Sequence, residues 1–229
     1  MKTIGLIGGM SWESSAEYYK FINEEVKHQL GGLHSAKCIL FSVDFEEIEK
    51  YQVIGDWESA GHVLANAAIS LEKAGADFIV ICTNTMHKVV NLIEENIQIP
   101  ILHIADTTAN QIKAHGIQKI GLLGTKFTME QDFYKSRVEK YNIQVIVPED
   151  AERSMVHQII YDELCLGILK ESSKEKYLDI INRLVAEGAE GIILGCTEIG
   201  LLIKQQDTNI PLFDTTKIHA IESVKQALQ

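Results

Sequence analysis

The sequence is short of the residues that mark several common protein classes. Three prolines among 229 residues are too few to signal a flexible linker, and no low-complexity tract interrupts the chain. Any division into domains must therefore come from pattern. Four cysteines, Cys38, Cys82, Cys165 and Cys196, include no CxxC pair and belong to no His or Cys cluster at zinc spacing. That excludes a disulfide-framed small domain, and in a reducing compartment these residues read as free thiols. No apolar run approaches membrane-spanning length, and the start carries no cationic segment followed by an apolar one, so the chain reads as cytoplasmic with no membrane partner. Basic charge is scarce too: a formal net charge of -11 offers no basic patch for nucleic acid. The phosphate-binding signals fail as well, since "GLIGGMS" does not complete GxGxxG and Walker spacing is missing.

What is present is a 46% hydrophobic chain with an internal repeat. "KTIGLIGGMS" near the start is answered by "QKIGLLGTKFTM" from Gln118, each an apolar strand breaking into glycine and small polar residues. "LEKAGADFIVICTNT" from Leu71 parallels "LVAEGAEGIILGCTEI" from Leu184, and "IPILHIADTT" parallels "IPLFDTT". Three landmarks in one order imply two half-chains of common design. Each alternates strands with helices, which predicts α/β architecture: two similar doubly wound parallel-sheet domains related by pseudo-twofold symmetry. The expected division is residues 1–102, with a C-terminal helix 214–229, against residues 103–213.

Helix signals agree. "SWESSAEYYKFINEEVKHQL" has Ser11 as N-cap, Ser14 and Glu17 at capping-box spacing, apolar residues at helical steps, and Gly31 and Gly32 as its stop. A second helix is expected from near Asp56 to Gly75, and a third ends at Gly188; each leads into a strand that terminates on a cysteine. Asp106 and Asp214, heading the two "DTT" segments, read as N-caps of the helices that follow. His87 reads as a solvated or capping residue on a helix face.

Cys82 and Cys196 follow apolar strands directly, where open parallel sheets place their ligands. A lone cysteine there reads as a small buried hydrophobe; recurrence at equivalent points of a repeat favours function. A following helix N-terminus is expected to lower the thiol pKa and leave one thiolate at rest. Thr83, Asn84 and Thr85 add hydroxyl, amide and backbone N–H donors suited to a carboxylate. Met10 and Ser11, after Gly8 and Gly9, supply a second close backbone approach, and Thr125 follows the matching strand. Two thiols across a carboxylate-binding cleft suit inversion of a stereocentre, one taking a proton from one face while the other delivers a proton to the opposite face.

"GLIGGMSW", "CTNTMH" and "GCTEIGLL" together resemble the aspartate/glutamate racemase family, in its aspartate racemase branch, over essentially the whole chain. The resemblance implies an amino-acid racemase that uses neither PLP nor a metal, with no cofactor, two α/β domains, an active site in the cleft between them, and a homodimer. It implies Cys82 and Cys196 as the two catalytic bases, with Thr83, Asn84 and Thr85 holding the substrate α-carboxylate and Met10, Ser11, Thr125 and Thr197 completing the substrate-binding set. The family's arginine for the distal carboxylate has no match in "VDFEEIEKYQVIGDW", where Gln52 or Lys50 stands in its place. "IIYDELCLG" likewise offers no match for the lysine that the family carries before its last catalytic strand. Aspartate, glutamate, homoserine and a broader set of polar amino acids stay open as substrates. The alternatives are a related isomerase or decarboxylase, of the maleate isomerase or arylmalonate decarboxylase type, and a non-catalytic amino-acid-binding protein.

Overall fold

The computed structural model describes residues 1–229. In chain order its elements are β1 (Ile4–Gly8), α1 (Trp12–Leu30), β2 (Cys38–Ser42), α2 (Phe45–Ile54), α3 (Trp57–Lys73), β3 (Phe78–Ile81), α4 (Val90–Glu94), β4 (Ile101–Leu102) and α5 (Ile104–Ala114). They continue with β5 (Lys119–Gly124), α6 (Lys126–Glu130), α7 (Asp132–Glu139), β6 (Gln144–Ile146), α8 (Asp150–Asp162), α9 (Glu171–Ala186), β7 (Ile192–Gly195), α10 (Ile199–Leu202), β8 (Leu212–Asp214) and α11 (Thr215–Leu228). Two four-stranded sheets result, ordered β2-β1-β3-β4 and β6-β5-β7-β8, with every pairing parallel. Two compact units follow: Met1–Ile104 with His219–Gln229, and Ala105–Ile218. The sequence-derived cuts at 102/103 and 213/214 lie a little ahead of these.

In the first unit the central strands are buried on both faces, as a parallel sheet covered by helices requires. Every residue of β1 and β3 is buried. Alternation then sorts the side chains. Ile79 and Ile81 point to the α3 side, among Leu64, Ala67, Ala68, Leu71 and Ile93. Phe78, Val80 and Cys82 point to the opposite side, among Tyr18, Ile22 and Val26 of α1 and Ala220 and Val224 of α11. Each fully buried isoleucine stabilises the fold by about 1.5–3 kcal/mol relative to exposure. In the second unit the same role falls to the buried runs of β5 and β7, covered by Val156, Ile159 and Ile160 of α8 and Tyr177, Ile180 and Leu184 of α9.

Local chemistry sets the helix ends. Ser11 caps α1 by accepting the Ser14 N–H at 3.3 Å, and Gly31 closes that helix with φ 69°. Asp56 caps α3 through the Ser59 N–H at 3.0 Å. Asp214 caps α11, accepting from the Thr216 and Lys217 N–H groups at 3.0 and 3.1 Å. Asp106 departs from expectation. α5 begins at Ile104, so Asp106 lies inside its first turn, where it takes a two-pronged ion pair from Arg137 with both contacts at 2.8 Å.

Candidate active site

In each sheet the chain leaves one central strand for an edge and returns on the other side, so the carboxyl ends of those two neighbours frame a topological switch point, the usual ligand position of such folds. In the first unit the neighbours are β1 and β3. The Cys82 N–H donates to the Ile7 carbonyl at 2.9 Å, so Cys82 extends the ladder beside Gly8. Gly9, with φ 93°, turns the chain there, and a Cβ on it would strike the Val43 carbonyl. Met10 and Ser11 follow, both buried. Thr83, Asn84 and Thr85 are buried as well, and Gln52 joins them: its amide donates to the Met86 sulfur at 3.2 Å. The structure thus brings Met10, Ser11, Gln52, Cys82, Thr83, Asn84 and Thr85 to one sheet end. Lys50, by contrast, is exposed and paired with Glu46 at 3.0 Å.

In the second unit the neighbours are β5 and β7, in register Gly124 with Gly195. A Cβ on Gly195 would sit 2.8 Å from Leu122 Cδ1 and 2.9 Å from the Leu123 carbonyl oxygen, so glycine lets the two strand ends approach. Thr125 and Cys196 come next on their strands. Thr125 caps α6, its hydroxyl accepting from the Thr128 N–H at 3.3 Å. The Cys196 thiol donates to Glu198 Oε2 at 2.9 Å, and the Thr197 hydroxyl donates to the same oxygen at 2.7 Å. Glu198 is 2% exposed. The sequence reading quoted this residue in "GCTE" without giving it a role. Its signal was there: aligning "CTN" with "CTE" sets a carboxylate opposite Asn84.

Both thiols overturn the expectation of a lowered pKa. Burial pushes Cys82 far above the ordinary thiol range, with Cys38 adding to the effect, and burial followed by the charge of Glu198 does the same to Cys196. The helix dipole cannot compete. The segment after Cys82 is a five-residue 3₁₀ helix, Thr85–Val89, and α10 has four residues, too few aligned peptides to build a macrodipole. Without a ligand both thiols are neutral, and the expected resident thiolate is not found.

His87 is the second correction, since it is buried and not solvated. Its Nε2 accepts the Ile104 N–H at 3.3 Å, which fixes the proton on Nδ1, and Nδ1–H donates to the Thr83 carbonyl at 2.8 Å. This pins the 83–85 turn from behind. His87 packs against His103 with ring centres 4.4 Å apart and against His219 at 5.9 Å. His219 donates from Nε2 to the Leu102 carbonyl and accepts the Tyr18 hydroxyl at Nδ1, both at 2.8 Å, and burial lowers its pKa to about 4.

Charge elsewhere is committed. The three arginines all lie in the second unit and all pair with carboxylates: Arg137 with Asp106, Arg153 with Glu130 and Asp150, and Arg183 with Glu152. No three His, Cys, Asp or Glu side chains converge in a metal-binding arrangement. No helix is long and apolar enough to cross a membrane.

Two parallel α/β units, each ending a central strand on a Cys-Thr pair, define an enzyme class built by repetition around paired thiols. Residues 7–222 match the family described as Asp/Glu/hydantoin racemase, and the chain belongs to that family of isomerases. Among solved structures it is similar to a candidate Asp/Glu racemase from Yersinia pestis, 60% identical with TM-score 0.93, and to an aspartate racemase homologue from Pyrococcus horikoshii, 38% identical with TM-score 0.87; both alignments cover 100% of each chain. It is also 26% identical over 177 residues to the broad specificity amino-acid racemase RacX of Bacillus subtilis, covering 76% of this chain and 74% of that protein.

Proposed function

We propose that the protein is a cofactor-independent amino-acid racemase in which Cys82 and Cys196 act on opposite faces of the substrate Cα. The observation that carries this reading is the equivalence of the two thiols: each directly follows the third strand in its sheet order, beside the switch point, within the same Cys-Thr motif. Inversion requires one group to remove the Cα proton and another to supply one from the other side. Thr83, Asn84 and Thr85 hold the α-carboxylate, aided by Met10 and Ser11, and Thr125 and Thr197 contribute from the second unit. The substrate's ammonium group, brought into a dry site, favours the thiolate that burial alone disfavours.

The side-chain site is served by the buried amide of Gln52. The first unit contains no arginine, and those of the second are already paired, so no guanidinium fork is set aside for a distal carboxylate. The substrate range therefore extends beyond aspartate and glutamate to neutral polar amino acids. Purified protein stripped of PLP and metals, incubated with a panel of L- and D-amino acids in deuterium oxide, tests this directly. Racemisation with Cα deuteration, strongest among polar substrates, is expected. Absence of exchange with every member overturns the racemase reading, and strict dependence on a second carboxylate overturns the specificity.

A further inference from the structure

The two thiols sit in unequal surroundings although their motifs repeat. Cys82 Sγ faces the Val80 carbonyl at 3.9 Å on an apolar sheet face, and the residue two positions on is Asn84, whose amide cannot accept a proton. Cys196 Sγ donates at 2.9 Å to Oε2 of Glu198, a carboxylate withdrawn from solvent and held in place by the Thr197 hydroxyl on the same oxygen. A buried carboxylate costs stability unless its hydrogen bonds compensate. Here the two side-chain donors on one oxygen are a catalytic thiol and its neighbour, which aims the carboxylate at the thiol proton.

We propose that Glu198 is the resident proton acceptor of Cys196, so that the two half-sites are chemically unequal and Cys196 carries its own base while Cys82 does not. The proposal rests on the racemase reading for its role in turnover. When Cys196 acts as base, the S–H bond breaks and an O–H bond forms on Glu198 Oε2, leaving a thiolate. The thiolate takes the Cα proton, the C–H electron pair remains on carbon in conjugation with the α-carboxylate, and Cys82 protonates the opposite face. Cys196 is then a thiol again, Glu198 is protonated and Cys82 is a thiolate. Turnover in the reverse sense lets Cys196 give its proton to carbon and regain one from Glu198; otherwise water carries the proton from Glu198 back to Cys82.

The test reads thiol chemistry without substrate, so it stands apart from whether any amino acid is racemised. Iodoacetamide alkylation of Cys196 and Cys82 is followed by peptide mass spectrometry across pH in the wild type, Glu198→Gln and Glu198→Asp. With a resident acceptor, Cys196 in the wild type keeps a reactive plateau through neutral pH. In Glu198→Gln that plateau is lost, the rate near neutral pH falls by about 10-fold or more and the profile retreats to the alkaline limb. Glu198→Asp restores part of the plateau, and Cys82 is unchanged throughout. A carboxylate that merely repels the thiolate gives the opposite sign, because removing its charge would speed alkylation. Equal or faster reaction of Cys196 in Glu198→Gln overturns the proposal, as does a fall matched at Cys82, which would assign the effect to packing. Failure of the wild type to exchange any amino acid, with the plateau intact, sinks the racemase reading and leaves the proton acceptor standing.

Discussion

At the end of β3, Cys82 lies on an apolar sheet face shared with α1 and α11; at the end of β7, Cys196 touches a buried carboxylate. The strand order that positions them is the same, and the chemistry around them is not. The difference shows what a repeat conserves. Strand order and the close approach of strand ends set where a ligand sits, while a change as small as Asn84 against Glu198 sets what each half can do to a proton. A second contrast runs alongside. The first unit buries a histidine cluster beneath its Cys-Thr turn, whereas the histidines of the second are His115, which is exposed, and the partly buried His157.

The hardest blow to the comparison removes either thiol. Cys82→Ser and Cys196→Ser are each expected to lower racemisation by about 10³-fold or more, because a hydroxyl is a far weaker base than a thiolate. Each variant should keep Cα exchange, with retained configuration, for one enantiomer only, and the enantiomer should differ between the two. Chiral chromatography with deuterium counting checks this, and near wild-type racemisation by either variant breaks the pairing.

The histidine contrast predicts where acid acts. His219 has a folded pKa of about 4 against 6.5 for an ordinary histidine. Above pH 6.5 it is neutral in both states; below that the unfolded chain binds a proton that the folded chain refuses. Stability therefore falls as pH drops from 6.5 towards 4 and levels beyond, by on the order of 3 kcal/mol. His219→Phe should flatten that limb in urea titrations. It should also lower stability near neutral pH, since Tyr18 and Leu102 lose this partner.

Making the first motif acidic sharpens the contrast at Asn84. Asn84→Asp sets a like charge against the substrate carboxylate and should raise KM by about 100-fold with a smaller change in kcat. An unchanged KM would remove Asn84 from the carboxylate site. Gly195→Ala forces a Cβ against the Leu123 carbonyl and should cost about 2 kcal/mol in denaturant melts. The smallest effect belongs to Arg137→Lys, which breaks a two-pronged but partly exposed pair with Asp106 and should cost about 0.5–1 kcal/mol.

Much of this was legible from local pattern. Ser11, Gly31 and Asp56 end helices as their neighbours require, because a cap needs only residues within one turn. The paired cysteine-terminated strands could be read because buried parallel strands are short continuous apolar runs and the repeat supplied a check. Asp106 could not be read as an ion-pair partner, since Arg137 comes from a different helix. His87 was misread for the same reason: His103, Ile104 and His219 are distant in the chain or lie beyond its own helix.

Sequence alone determined the α/β class, the twofold repetition, and the placing of Cys82 and Cys196 at strand ends, because periodicity and capping are short-range properties written into consecutive residues. Tertiary structure decided the protonation of the thiols and the partner of Cys196. Desolvation depends on every element packed around a group, and a hydrogen bond depends on where a side chain is held in three dimensions. A motif that reads as an activated thiolate thus folds into two neutral thiols, one against an apolar sheet face and one donating to Glu198.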